Sequence, residues 1–159
     1  MNRAMRRTVA FSVALILVTS ALVAKQPHCT LRLHTQANSR DTEIFSAPLQ
    51  SKFTGKTVTI EKTPTISERD VVAFYPYPAA DGSYGALFQF DDHGKLALDT
   101  LSIERRGTFL FVFVNGRPIT ELQIDRRITD GKIYLGSGLS AADIELMKKD
   151  WRLIGQRKK

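Results

Sequence analysis

The run Phe109-Leu110-Phe111-Val112-Phe113-Val114, stopped by Asn115-Gly116, constrains this chain more than any other stretch. A continuous apolar run this short, rich in aromatic and β-branched residues, reads as a strand buried on both faces rather than a helix. Asn-Gly is the strongest short hairpin signal, because both residues tolerate the positive φ that a tight turn of the right twist requires. The chain must therefore return beside this strand, and Arg117 to Ile124 is the expected return. Pro118 lacks a backbone donor, which places that second strand at a sheet edge or puts the proline at its beginning.

The flanking segments switch between strand and helix periods at marked turns. Tyr84 to Phe90 reads as a strand closed by Asp91-Asp92, whose carboxylates suit a helix N-cap and the positive end of the helix dipole. Ala97, Leu98 and Leu101 share one face, Arg105 and Arg106 sit where cations favour a C-terminus, and Gly107 suits a left-handed cap. A helix is expected from Asp91 to Arg106. After the hairpin, a turn at Asp130-Gly131 leads into Lys132 to Leu135, the third strand of an expected meander. Gly136-Ser137-Gly138 reads as a flexible connection, too weak a signal by itself for an anion cradle at a helix N-terminus. Ser140 then caps a last helix, with Asp143 completing the capping box, and Ile144, Met147, Trp151 and Ile154 form one apolar stripe.

Nearer the N-terminus, Thr30 to Thr35 alternates like a half-buried strand, and Ile44 to Leu49 and Thr57 to Ile60 are further strand candidates. Ala37 to Asp41 is loop-like, and Gly55 turns the chain into the third of these strands. The whole is an α+β protein, with two helices on one face of a mostly antiparallel sheet. Residues 1–24 read as a targeting segment, 25–56 as an N-terminal extension with strands, 57–155 as the α+β domain and 156–159 as a basic tail.

Arg3, Arg6 and Arg7 make a basic start to that targeting segment, and Val9 to Ala24 carries no charge. It reads as a signal peptide cleaved after Ala24 or Ala21, with an uncleaved anchor as the alternative, since spanning needs about 20 apolar residues. Either places the body outside the cytoplasm. The formal charge of +7 falls by the three leader arginines, and the 43% hydrophobic, 25% charged composition is that of a globular protein. Basic residues gather at Lys148-Lys149 and Arg157 to Lys159, and no basic stripe interleaves with stacking aromatics, so nucleic acid is not an expected partner. Membrane contact is expected only through the N-terminal segment, if it is uncleaved. Cys29 stands alone: Gln26-Pro27-His28 is a poor lipidation sequence, which leaves an unpaired residue in a mobile leader or an intermolecular bridge.

No catalytic constellation or cofactor motif is assembled in the sequence. His28, Cys29 and His34 lack a usual zinc spacing, so no metal site is expected there. His93 is expected to be exposed or hydrogen-bonded to Asp91 or Asp92. Carboxylates pair in sequence at Asp91 and Asp92 and at Glu121 and Asp125, but Asp91 and Asp92 are explained as caps and the charges of Ile124 to Arg127 as ion pairs beside a turn, so neither pair is read as an acid/base site. Phe74-Tyr75-Pro76-Tyr77-Pro78 is the more informative cluster, expected at a strand end or loop. Tyrosines framed by proline offer rigid amphipathic contact area. Phe74, Tyr75 and Tyr77, with Arg117 at the start of the edge strand, are the candidate binding residues; the competing reading is that Phe74 and one tyrosine close the core.

Four phrases in this order of elements carry a resemblance: Asp81-Gly82-Ser83-Tyr84-Gly85, Phe90-Asp91-Asp92-His93-Gly94, Val112-Phe113-Val114-Asn115-Gly116-Arg117, and Gly138-Leu139-Ser140-Ala141-Ala142-Asp143. They resemble the first periplasmic head subdomain of the SecDF protein-export factor, and Thr65 to Val72 is similar to the run that leads into that head. The membrane-spanning motor of that factor is not part of this sequence. The resemblance implies a non-enzymatic, exported interaction module of the cell envelope whose ligand is a protein segment, such as an exported or partly unfolded chain. The edge beside Pro118 is where strand addition would occur. A small secreted enzyme and a purely structural envelope protein are the alternatives.

Overall fold

The computed structural model describes residues 26–38 and 43–156. The expected targeting segment 1–24, part of the loop after Asn38 and the basic residues 157–159 lie outside the described residues. The described elements run β1 (Leu31–Thr35), β2 (Ser46–Gln50), β3 (Thr57–Glu61), β4 (Ile66–Ser67), a 3-10 turn (Glu68–Asp70), β5 (Val71–Pro78) and β6 (Tyr84–Phe90). They continue with α1 (Asp92–Glu104), β7 (Phe109–Val114), β8 (Arg117–Gln123), β9 (Lys132–Leu139), α2 (Ala141–Asp150) and β10 (Arg152–Leu153). The protein is α+β, and among the described residues no helix is long and apolar enough to cross a membrane.

The hairpin forms as its turn residues dictate: Asn115 has φ 50° and Gly116 φ 75°, and β7 pairs antiparallel with β8. Pro118 sits on an edge strand, as its missing donor requires. Asp91 caps α1 by accepting from the Gly94 N–H at 2.9 Å, and Ser140 and Asp143 form the capping box of α2. The strands divide over two four-stranded sheets, ordered β4-β1-β7-β8 and β10-β5-β6-β9, with β2 and β3 forming a separate hairpin.

Three expectations are corrected. The meander does not form: β9 leaves β8 and pairs with β6 in the other sheet. The connection 124–131 is too long for a hairpin turn, and it is pinned to α1 by the Arg127–Asp99 ion pair and by Ile128 N–H donating to Ser102 Oγ. This pinning carries the chain past the helix. The glycine-rich stretch 136–138 is the end of β9 and not a loose connection. The last helix stops at Asp150, since Trp151 is extended (φ −124°, ψ 145°); β10 then pairs parallel to β5.

The N-terminal strand is not peripheral. β1 lies between β4 and β7, with Leu31, Leu33 and Thr35 buried, and the same alternation carries Cys29 into the core. The mobile-leader and intermolecular-bridge readings of Cys29 are therefore corrected: its side chain is fully buried. Burial, with the Asp143 charge as the next cause, pushes the thiol up to about 12.

One apolar cluster joins both sheets and both helices: Leu98 and Leu101 of α1, Ile144 and Met147 of α2, and Phe74 and Phe88 of β5 and β6. Trp151 closes it, its ring edge-on to Phe74 at 6.2 Å and to Phe88 at 6.0 Å. Trp151→Ala is expected to lower unfolding stability by about 3 to 5 kcal/mol in urea titrations, the usual cost of emptying a buried aromatic site. Cys29 is expected to resist a thiol reagent in the native protein and to react once urea unfolds it; rapid native labelling would contradict its burial.

Candidate functional site

The outer face of β5-β6-β9 is built by strand alternation. Phe74, Phe88 and Ile133 are cross-strand partners facing the core, so their neighbours Tyr75, Leu87 and Tyr134, also in register, face outward. Tyr75 is 55% exposed and Tyr134 59% exposed. Tyr77 lies on the same outer face, stacked on Tyr134 with ring centroids 5.1 Å apart and planes 8° from parallel. Its hydroxyl donates to the Leu135 carbonyl, and burial, then Tyr134, raises its pKa. Opposite Tyr77 stands Gly85, where a Cβ would come within 2.2 Å of the Tyr77 ring, so only glycine leaves room for this ring.

The aromatic cluster is thus part of a strand and not a strand end or loop. It divides by parity: Phe74 is fully buried in the core, and Tyr75 and Tyr77 are on the surface. Tyr134 joins them, a residue that sequence reasoning missed although Lys132-Ile133-Tyr134-Leu135 alternates. Knowledge that β9 pairs with β6 was the missing signal. Arg117 lies on the other sheet, its guanidinium donating to Asp143 at 2.6 Å, so its charge is engaged with α2.

Asp143 is a structural carboxylate. It accepts from Ser140 N–H at 2.9 Å and Ser140 Oγ at 2.7 Å, and from Asn115 Nδ2 at 2.9 Å, besides Arg117. Burial would raise its pKa, but these hydrogen bonds outweigh burial and hold it below the usual carboxylate value. Asp150, at the other end of α2, is similarly held low, with burial opposing and His28 and the Cys29 N–H favouring the charge.

His28, Cys29 and His34 are separated: Cys29 faces the core, His28 Nδ1 pairs with Asp150 at 2.7 Å, and His34 points to the other face of β1. There its Nδ1 meets the Glu61 carbonyl at 2.8 Å and its ring packs edge-on to Phe113. His93 is exposed and bonds Asp70 at 2.7 Å, not Asp91 or Asp92. Asp70, Asp91 and His93 bring potential ligand atoms within 4.8 Å, but Asp91 caps α1 and Asp70 accepts from Ser67 N–H. Glu121 accepts from Ser51 Oγ at 2.7 Å and the Lys52 N–H, which ties the β2–β3 hairpin to β8 rather than pairing with Asp125.

Beside the tyrosine face runs a groove of about 710 Å³, between β9 and β8 with the 124–131 connection, lined by Leu87, Leu122, Gln123, Ile128, Lys132 and Tyr134 among others. The described residues thus present an exposed aromatic face and a groove, in an α+β fold built on two four-stranded sheets.

No protein-family model matches the sequence, and no curated protein matches it. Solved structures do. A crystal structure of SecDF in its super-membrane-facing form is 16% identical with a TM-score of 0.52, over 80% of this chain and 20% of the SecDF chain. A structure of SecDF described as a membrane component that enhances protein export is 16% identical with a TM-score of 0.51, over 82% of this chain and 69% of the SecDF chain. This chain spans about a fifth of the length of the first. At that identity the likeness is one of fold: the chain is similar in fold to part of SecDF.

The depressed carboxylates set an acid dependence. A group whose folded pKa lies below its unfolded value stabilises above the unfolded value, and that contribution is lost as pH falls through the folded one. Asp143 and Asp150 are therefore expected to lower the urea midpoint below about pH 4, their ordinary value being 3.8. His34, lowered by burial, adds an earlier loss as pH falls below its ordinary 6.5. Urea midpoints measured from pH 7 to pH 3 check this, with Asp143→Asn reducing the acid loss and His34→Gln removing the earlier one.

Proposed function

We propose that this protein is a non-enzymatic, exported interaction module of the cell envelope that binds extended segments of other proteins, in the manner of a protein-export accessory. Residues 1–24 serve in this reading as the export signal or anchor, and the head-like fold acts on the outer side of the membrane. The observation that carries it is the aromatic face: Tyr75 and Tyr134 exposed on either side of Leu87, and Tyr77 held against Tyr134. Exposed tyrosines on a rigid sheet are low-cost anchors for varied sequences, and such residues carry a disproportionate share of interface energy. The likeness to SecDF, described as enhancing protein export, supports the choice of a polypeptide ligand. Phe74 underlies this face from the core, whereas Arg117, on the other sheet and paired with Asp143, takes no part in it.

Tyr75→Ala with Tyr134→Ala is expected to weaken capture of a permanently unfolded, fluorescently labelled polypeptide by about tenfold or more, while the melting transition is retained. Replacing Asp91, Asp92, Glu121 and Asp125 by amides is expected to leave capture unchanged. A turnover activity lost in the amide variant would favour the enzyme alternative instead.

A further inference from the structure

We infer that the polypeptide is held as an added β-strand lying between β8 and β9, where it joins the two sheets into one. This rests on the peptide-binding reading above and specifies how the ligand is gripped. Both strands are sheet edges, β8 ending the order β4-β1-β7-β8 and β9 ending the order β10-β5-β6-β9. They approach closely at one end, where Gly138 meets Ile119. Farther along they diverge around the groove of about 710 Å³.

The phase of each ladder says which backbone groups face that groove. In an antiparallel pair, hydrogen-bonded and non-hydrogen-bonded positions alternate, and residues at the latter turn their N–H and C=O to the other side. Ile124 N–H donates to Thr108 C=O at 2.9 Å, and Leu122 faces Leu110 two residues on, so the intervening Gln123, opposite Phe109, turns its backbone away from β7. Phe90 N–H donates to Gly131 C=O at 2.9 Å, which by the same alternation turns the backbones of Lys132 and Tyr134 away from β6. The Lys132 N–H is already taken by the Asp130 carboxylate at 3.2 Å, as this orientation allows.

Gln123 lines the groove from β8, where Glu121 shares its outward phase, and Lys132 and Tyr134 line it from β9, so the Gln123 N–H and C=O face the Lys132 C=O and the Tyr134 N–H and C=O across it. An extended backbone matches both rows, whereas a compact small molecule matches neither. Alternate side chains of the added strand would fall on the outer face beside Leu87 and Tyr134, and inward against Leu122 and Ile128. The preferred segment is therefore extended, with apolar residues on both of its faces.

The probe is a fluorescein-labelled, lysine-flanked peptide of alternating valine and threonine, titrated by anisotropy against the full chain. N-methylation of every second residue in the peptide is expected to weaken binding by about tenfold, the loss of one or two net hydrogen bonds. Gln123→Pro, which removes an outward N–H and no β7–β8 bond, is expected to weaken it similarly while keeping the parent's melting transition. Unchanged binding of the N-methylated peptide, or by Gln123→Pro, overturns the strand addition and leaves the tyrosine face standing. No binding of the unmethylated peptide by the parent overturns both readings. A concentration-dependent dimer of the parent that Gln123→Pro abolishes would show a second copy to be the occupant, against this inference.

Discussion

One buried carboxylate holds together parts of the chain that are far apart in sequence. Asp143 completes the capping box of α2 with Ser140, and the same carboxylate accepts from Asn115 in the β7–β8 turn and from Arg117 at the start of β8. The hairpin and the last helix therefore share one hydrogen-bonding centre. At the other end of α2, Asp150 accepts from the His28 and Cys29 N–H groups and thereby fixes the entrance to β1. A helix with an aspartate at each end clamps the first strand and the central hairpin of one sheet, while Met147 and Trp151 beside it reach the core of the other. Removing the Asp143 carboxylate would take the shared acceptor from Ser140, Asn115 and Arg117 at once and cut the link between the hairpin and α2.

Local signals in the sequence were legible wherever a residue's own chemistry decides the backbone. Asn115-Gly116, the Asp91 cap, the Ser140–Asp143 box and the edge position of Pro118 all follow from conformational preference or a missing donor. Pairing between distant strands was not legible. Period 2 says which side chains share a face of a strand but not which strand lies beside it, so Lys132 to Leu135 read as a continuation of the hairpin. The Arg127–Asp99 and Ile128–Ser102 links that redirect the chain join residues 26 to 28 positions apart, and no local pattern announces them. Trp151 was correctly expected in the core but through a helix, because an apolar stripe at helical spacing can run on after the backbone has become extended.

The candidate site shows the same division. Tyr75 and Tyr77 were found from composition, but their separation from Phe74 needed the strand's parity, and Tyr134 needed the β6–β9 register. Cys29 was misjudged for a related reason: a residue near a targeting segment was taken to share its exposure, whereas the alternation of β1 extends one step farther and buries it.

The glycine at position 85 has a consequence for how a surface of this kind would handle many different chains. Because no side chain occupies that position, the Tyr77 ring can lie across β6, reach the Leu135 carbonyl and stack flat on Tyr134. Two aromatic rings are thereby immobilised before any ligand arrives, and the rotamer entropy that a surface side chain ordinarily loses on binding has already been lost during folding. A surface ordered in advance needs little sequence-specific contact to hold a passing segment. It can therefore combine weak selectivity with useful residence, which suits ligands that differ from one encounter to the next.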